Sequence, residues 1–240
     1  MNLSFVSTIA FSIPPDKAWM VFVGAGLLVI AIVVPILYYD RQRTKELTLA
    51  ANALGLTFRH QATSADKTLI LGCQLAKRGY NNRVRNIVEV SKTPDLDFTL
   101  FDFEYMVNDG GRSATTYRQT VSRIRSPLLK LPLFALVPGR ISWLAKLFGA
   151  HDIDFPDSPK FSRTYILRAN DEAAVRAFFT PALRQLIESL DELTIEGGDD
   201  GFFLFRFGWR IDPDLLATTI EQDKRVLAAF IEAQRSVGIV

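Results

Sequence analysis

Between Ala18 and Tyr39 the chain contains no charged position, which makes 22 successive apolar or neutral residues. As a helix, that run is about 33 Å long, against a bilayer hydrocarbon core of about 30 Å. The pattern predicts a transmembrane helix over 18–39. Trp19 marks one boundary, and Tyr38 and Tyr39 the other, where amphipathic rings favour the headgroup level. Arg41, Arg43 and Lys45 follow the run, while Lys17 alone precedes it. This asymmetry predicts residues 1–17 outside and residues 40–240 in the cytoplasm. A cleaved signal peptide has a shorter apolar core and a small-residue cleavage site; "PILYYDRQR" offers no such site. Gly24 and Gly26 are two apart, so they do not form the four-residue ridge that packs helix pairs.

After the anchor the period changes repeatedly. Leu47, Ala50, Ala51 and Leu54 keep helical spacing up to Gly55, a residue suited to ending a helix. "LTFRHQ" predicts a strand. "RNIVEV" and "FTLFDFEYMV", separated by "SKTPDLD", predict a hairpin, with Thr99, Phe101, Phe103 and Tyr105 on one face and Asp102 and Glu104 pointing away. "NDGGRSA" reads as a turn and "TTYRQTVSRIRS" as the next strand. "PLLKLPLFALVPG" is apolar, but Lys130, Pro132 and Pro138 exclude a second span; it reads as an extended connection or an edge strand.

Next come an amphipathic helix in "RISWLAKLFGA", a loop in "HDIDFPDSPKF" and a strand in "FSRTYILRA". A helix follows, capped by Asn170 or Asp171 and interrupted at Pro181. The hairpin "ELTIEGGDDGFFLFRFGWR" turns at Gly197, Gly198, Asp199, Asp200 and Gly201, with Phe203, Phe205, Phe207 and Trp209 on one face. The last helix takes Asp212 as cap and Pro213 as its first residue. The expected fold class is α+β: an N-terminal transmembrane helix, then a largely antiparallel sheet with helices on one face, in a single domain over 40–240.

Charge narrows the partners. The 240 residues hold 28 Lys and Arg against 26 Asp and Glu, a net of +2, which is not the basic footprint of a nucleic-acid binder. Cys73 is the one cysteine, so neither an intrachain disulfide nor a multi-thiolate zinc site is available. No His-Glu-x-x-His, Gly-x-Ser-x-Gly or phosphate-loop pattern occurs, so no catalytic, metal or cofactor residue is assigned and no cofactor is expected.

Two segments remain as candidates. In "HDIDFPD", His151, Asp152, Asp154 and Asp157 place an imidazole beside carboxylates, a set that could hold a metal or move a proton. The alternative is a solvated loop. In "RISWLAKLFGA", Ile141, Leu144 and Leu147 share a helical face that Trp143 flanks; it either packs on the sheet or contacts the membrane surface or a partner. Arg78, Arg83, Arg85, Arg118, Arg123 and Arg125 would add a lipid-facing surface only if they converge. The expected partners are the lipid bilayer and a second membrane or cytoplasmic protein, with no nucleic acid. The expected role is a binding or interaction module at the membrane, with a tethered enzyme using the His151 loop as the alternative.

The segments "ELTLAANALGLTF", "RNIVEV", "FTLFDFEY", "TYRQTV", "LPLFALVPG" and "DIDFPDSPKFSRTYILRANDEAAVRAFFTPAL" resemble an uncharacterised group of bacterial membrane-anchored proteins with a cytoplasmic α+β domain of unassigned function. The resemblance covers most of the chain after the anchor and is most specific over Asp152 to Leu183. It implies a bacterial membrane location and carries over no catalytic residue; with the predicted orientation, the expected location is the bacterial inner membrane.

Overall fold

A computed structural model of the chain describes residues 18–64, 66–70, 73, 76–77, 79–108, 114–141 and 151–238. It forms two compact units, Met1–Lys45 and Glu46–Val240.

The first unit is built on helix α1 (Ala18–Ala53), which continues through Pro35 without a break and ends within the second unit. Its large apolar side chains are exposed, from Trp19 at 61% to Tyr39 at 68%. Among its described side chains α1 buries Leu47 and Ala51, both near its end and both in the second unit. Gly55, at φ +68°, then reverses the chain, and the Leu56 amide donates back to the Ala51 carbonyl at 2.9 Å. The reversal needs a left-handed residue, which glycine supplies without steric cost.

In the second unit the described residues form nine strands in one sheet. They are β1 (Thr57–Gln61), β2 (Tyr80–Lys92), β3 (Asp97–Asn108), β4 (Ala114–Arg125), β5 (Leu131–Pro138), β6 (His151–Asp152), β7 (Tyr165–Ala169), β8 (Thr194–Asp199) and β9 (Gly201–Phe205). The spatial order is β1-β2-β3-β4-β9-β8-β5-β7-β6, and every neighbouring pair is antiparallel. Helices α2 (Pro159–Thr164), α3 (Glu172–Phe178), α4 (Pro181–Glu188) and α5 (Leu216–Ser236) complete the unit.

Strand alternation sorts side chains into two cores. Phe98 and Leu100 face the helices, where Phe134 meets Phe178, Phe179 and Phe230, ring against ring. Phe101, Phe103 and Tyr105 face the other way into a second core with Val121, Phe205 and Cys73. A stack runs through it from Phe103 to Tyr105, Tyr117 and Phe207, with centroids 5.3, 5.5 and 5.0 Å apart. β3 and β4 stay in register along their whole length, whereas the β2–β3 ladder shifts register three times.

Several expectations need correcting. β5 is an interior strand between β8 and β7, not an edge. Its prolines fall where they do least harm: Pro132 lies in a bulge between Leu131 and Phe134, and Pro138 closes the strand. Gly197 and Gly198 lie inside β8 rather than in its turn. A Cβ on Gly197 would come within 2.5 Å of Phe134, so glycine here is required by a close approach. The stretch before β7 is helical over Pro159–Thr164. Asp212 makes no side-chain cap; a 3-10 turn over Pro213–Leu215 intervenes before α5 begins at Leu216. Trp209 lies beyond the end of β9 and is 39% exposed.

Candidate functional site

The residues expected to mark a membrane boundary lie on α1. Trp19, Tyr38 and Tyr39 are exposed, with the two tyrosine rings meeting edge to face at 6.0 Å. Arg41 is exposed and Arg43 half-buried, one turn beyond. Among the described residues, one helix is long and apolar enough to cross a membrane, and its most apolar stretch has no buried residue.

The acidic loop is fastened by arginines. Asp152 pairs with Arg168 of β7 at 2.5 Å. The Asp154 carbonyl accepts from Arg176 of α3 at 2.5 Å. Asp157 takes both arms of Arg184 of α4, at 2.9 and 2.6 Å. Arg184 is only 3% exposed and lies over the Phe155 ring, 4.1 Å from its centroid. That guanidinium holds the Asp157 carboxyl below its ordinary value. Three elements thus hold the loop through ion pairs and a cation–π contact, an arrangement that ties down chain. His151 opens β6, and its side chain lies outside the described residues. Among the described residues no group of three His, Cys, Asp or Glu is placed to hold a metal.

Of the proposed contact helix, Ile141 is 6% exposed and packs in the second core. Trp143, Leu144 and Leu147 lie outside the described residues. Four members of the basic set are engaged by carboxylates. Arg83 and Arg118 share Glu104, Arg123 pairs with Asp97 at 3.0 Å, and Arg125 pairs with Asp200. Arg78 also lies outside the described residues.

The feature that sequence reading missed is a polar line across four strands, on the face that carries Leu100. His60 of β1 is exposed. Its Nδ1 is 2.9 Å from Asn86 Oδ1, Asn86 Nδ2 donates to Asp102 Oδ2 at 2.9 Å, and Thr120 Oγ1 donates to Asp102 Oδ1 at 2.9 Å. The Ile211 amide then donates to Thr120 Oγ1 at 3.2 Å. Asn86, Asp102 and Thr120 are buried. Because Asp102 accepts, Asn86 presents its amide nitrogen there and its oxygen to the histidine, so His60 donates from Nδ1. Asn86 sits at φ +49° within a β2 irregularity, a conformation in which asparagine is among the least strained side chains. Period-two alternation flagged Asp102 only as pointing away from the aromatic face; the bulge that brings Asn86 beside it leaves no sequence mark.

Two further features stand out. A shallow depression of about 490 Å³ is lined by Leu129, Lys130, Leu131, Pro132, Ala174, Asp199 and Asp200, and Leu128 and Leu133 nearby in sequence are 61% and 63% exposed. Asp223 of α5 is buried under the helix, where burial pushes its carboxyl up to about 7.

No family model matches the sequence, and no curated protein matches it significantly. The crystal structure of the mycobacterial trehalose monomycolate transport factor A, TtfA, is similar in shape, with a TM-score of 0.49 and 9% identity over 81% of this chain and 96% of that one.

Proposed function

We propose that the chain is a single-pass protein of a bacterial inner membrane, with its N-terminus outside and its α+β domain in the cytoplasm, and that the domain acts by binding. The observation that carries this reading is the charge-free run from Ala18 to Tyr39, held in a helix whose large apolar side chains are exposed. A stripe of leucine, isoleucine and valine of that length, left in water, would drive association or precipitation; lipid resolves it. Seven residues, 40–46, separate Tyr39 from the first core residue, Leu47. Chain length alone therefore keeps the domain near the bilayer and raises its effective concentration there. The partners are the bilayer itself and a membrane or cytoplasmic protein.

The catalytic alternative gains nothing from the acidic loop, since Asp152 and Asp157 are engaged by arginines. The chain should fractionate with membranes and resist alkaline carbonate. In spheroplasts, a C-terminal tag should survive external protease and be digested only after lysis. A mature chain that begins after Tyr39 and is found soluble refutes the anchor; digestion in intact spheroplasts reverses the orientation.

A further inference from the structure

Helix α5 buries Leu216, Ile220, Asp223, Val226, Phe230, Ala233 and Gln234, an apolar stripe interrupted by one polar residue in its first half and another near its C-terminal end. The two polar residues are treated very differently. Gln234 is satisfied twice: it accepts from the Lys130 amide at 2.6 Å and donates to the Leu128 carbonyl at 2.9 Å. It thereby ties α5 to the connection between β4 and β5. Asp223 is 5% exposed, and its Oδ2 has no hydrogen-bond partner among the described residues. The Ser122 hydroxyl on β4 is a polar neighbour of the carboxyl.

The surrounding charges do not compensate. Arg206, from the segment after β9, is the charged group that acts on Asp223, but its Nε donates to the Asp191 carbonyl at 2.8 Å and its guanidinium lies over Trp209. On α4, which packs against α5, Arg184 and Glu188 are engaged with Asp157 and Lys160. On α5 itself Glu221 and Lys224 pair with each other, Arg225 is exposed, and Asp214 in the preceding turn is exposed too. A carboxyl held in apolar surroundings without an ion-pair partner is stable there only as the neutral acid.

We propose that α5 is a proton-controlled latch: with Asp223 protonated it seals the helical face of the sheet, and with Asp223 ionised it loosens and lets go of the β4–β5 connection. Leu129, Lys130, Leu131 and Pro132 of that connection line the 490 Å³ depression. Release of α5 therefore changes the wall of that depression. The sign follows from linkage. Burial raises the carboxyl from 3.8 to about 7, so the docked helix binds the proton more tightly than the undocked one. Docking is strongest in acid, weakens as pH rises from about 4 to about 7, and is level above that.

The test is amide hydrogen exchange on the full chain in detergent between pH 4 and 8, corrected for intrinsic exchange. Protection of α5 amides, and of the Lys130 amide that Gln234 holds, should fall about tenfold per pH unit up to about pH 7. In Asp223→Asn the slope should vanish. A flat wild-type profile overturns the latch whether or not the variant folds. An equal slope in Asp223→Asn assigns the titration to another group and overturns it too. A pH-independent Lys130 amide refutes the link to the depression.

Discussion

Replacing Asp102 by alanine removes the acceptor at the centre of the polar line. Asn86 and Thr120 each donate to it at 2.9 Å, and the carboxyl is 8% exposed. A hydrogen bond to a charged partner contributes about 1.5–3 kcal/mol, so Asp102→Ala should cost about 3–5 kcal/mol. Thr120→Val keeps the shape but removes the same bond from the other side, together with the acceptor for the Ile211 amide at 3.2 Å. It should cost about 2–4 kcal/mol. The double variant loses the shared bond only once, so the two changes should fall short of additivity by about 1.5–3 kcal/mol. Against a typical total of about 5–15 kcal/mol these are large effects. Urea unfolding of the full chain in detergent, followed by tryptophan emission, measures all four corners; the Thr120 amide donates to the Trp209 carbonyl, so one reporter lies beside the site. Additivity within about 0.5 kcal/mol would refute the bond and the line built on it.

Gly197→Ala drives a methyl to 2.5 Å from Phe134, which Phe178, Phe179 and Phe230 hold in place. It should cost about 1–3 kcal/mol in the same assay, and trimming Phe134 to leucine should recover part of that loss. Cys73 is 2% exposed, so a maleimide should leave it unlabelled in opened cells until denaturant is added; rapid native labelling would contradict its burial. Asp66 accepts both arms of Arg59 at 2.5 and 2.8 Å, and that guanidinium holds its carboxyl well below the ordinary value. The stability deficit of Asp66→Asn should therefore be full at neutral pH and shrink as pH falls below about 4; a deficit that grows in acid would contradict the pair.

The strands were legible where one residue in two had to be buried. Phe101, Phe103 and Tyr105 fell on the expected face because β3 is regular from end to end. Asp171 accepts from the Ala174 amide, as a cap must, and Pro181 does separate two helices. The illegible parts share a cause: they depend on what another segment does. β5 looked like an edge because its prolines were counted without knowing that a bulge absorbs Pro132. Gly197 looked like a turn because glycine marks both turns and close approaches, and only the position of Phe134 tells them apart. The acidic loop showed its carboxylates in one run, while its arginines come from β7, α3 and α4. Asp223 stood on the apolar stripe of the last helix, and an acidic residue at a core position was the one readable sign that α5 is unusual.

β9 is five residues long, yet it alone joins the two halves of the sheet, with β4 on one side and β8 on the other. It is also the last strand to be synthesised. The Arg125–Asp200 pair at this junction spans 75 residues of sequence. At about 5–20 residues per second, a nascent chain waits roughly 4–15 s between finishing β4 and receiving its neighbour. Throughout that interval the outer side of β4 has no partner strand. Arg118 and Arg123 are already matched by Glu104 and Asp97 of β3, whereas Arg125, at the end of that edge, has to wait for Asp200. Charge on an unpaired strand resists pairing with a stranger. Arg125 is thus an uncompensated charge on that edge during the seconds before β9 arrives, and Asp200 neutralises it when the sheet closes.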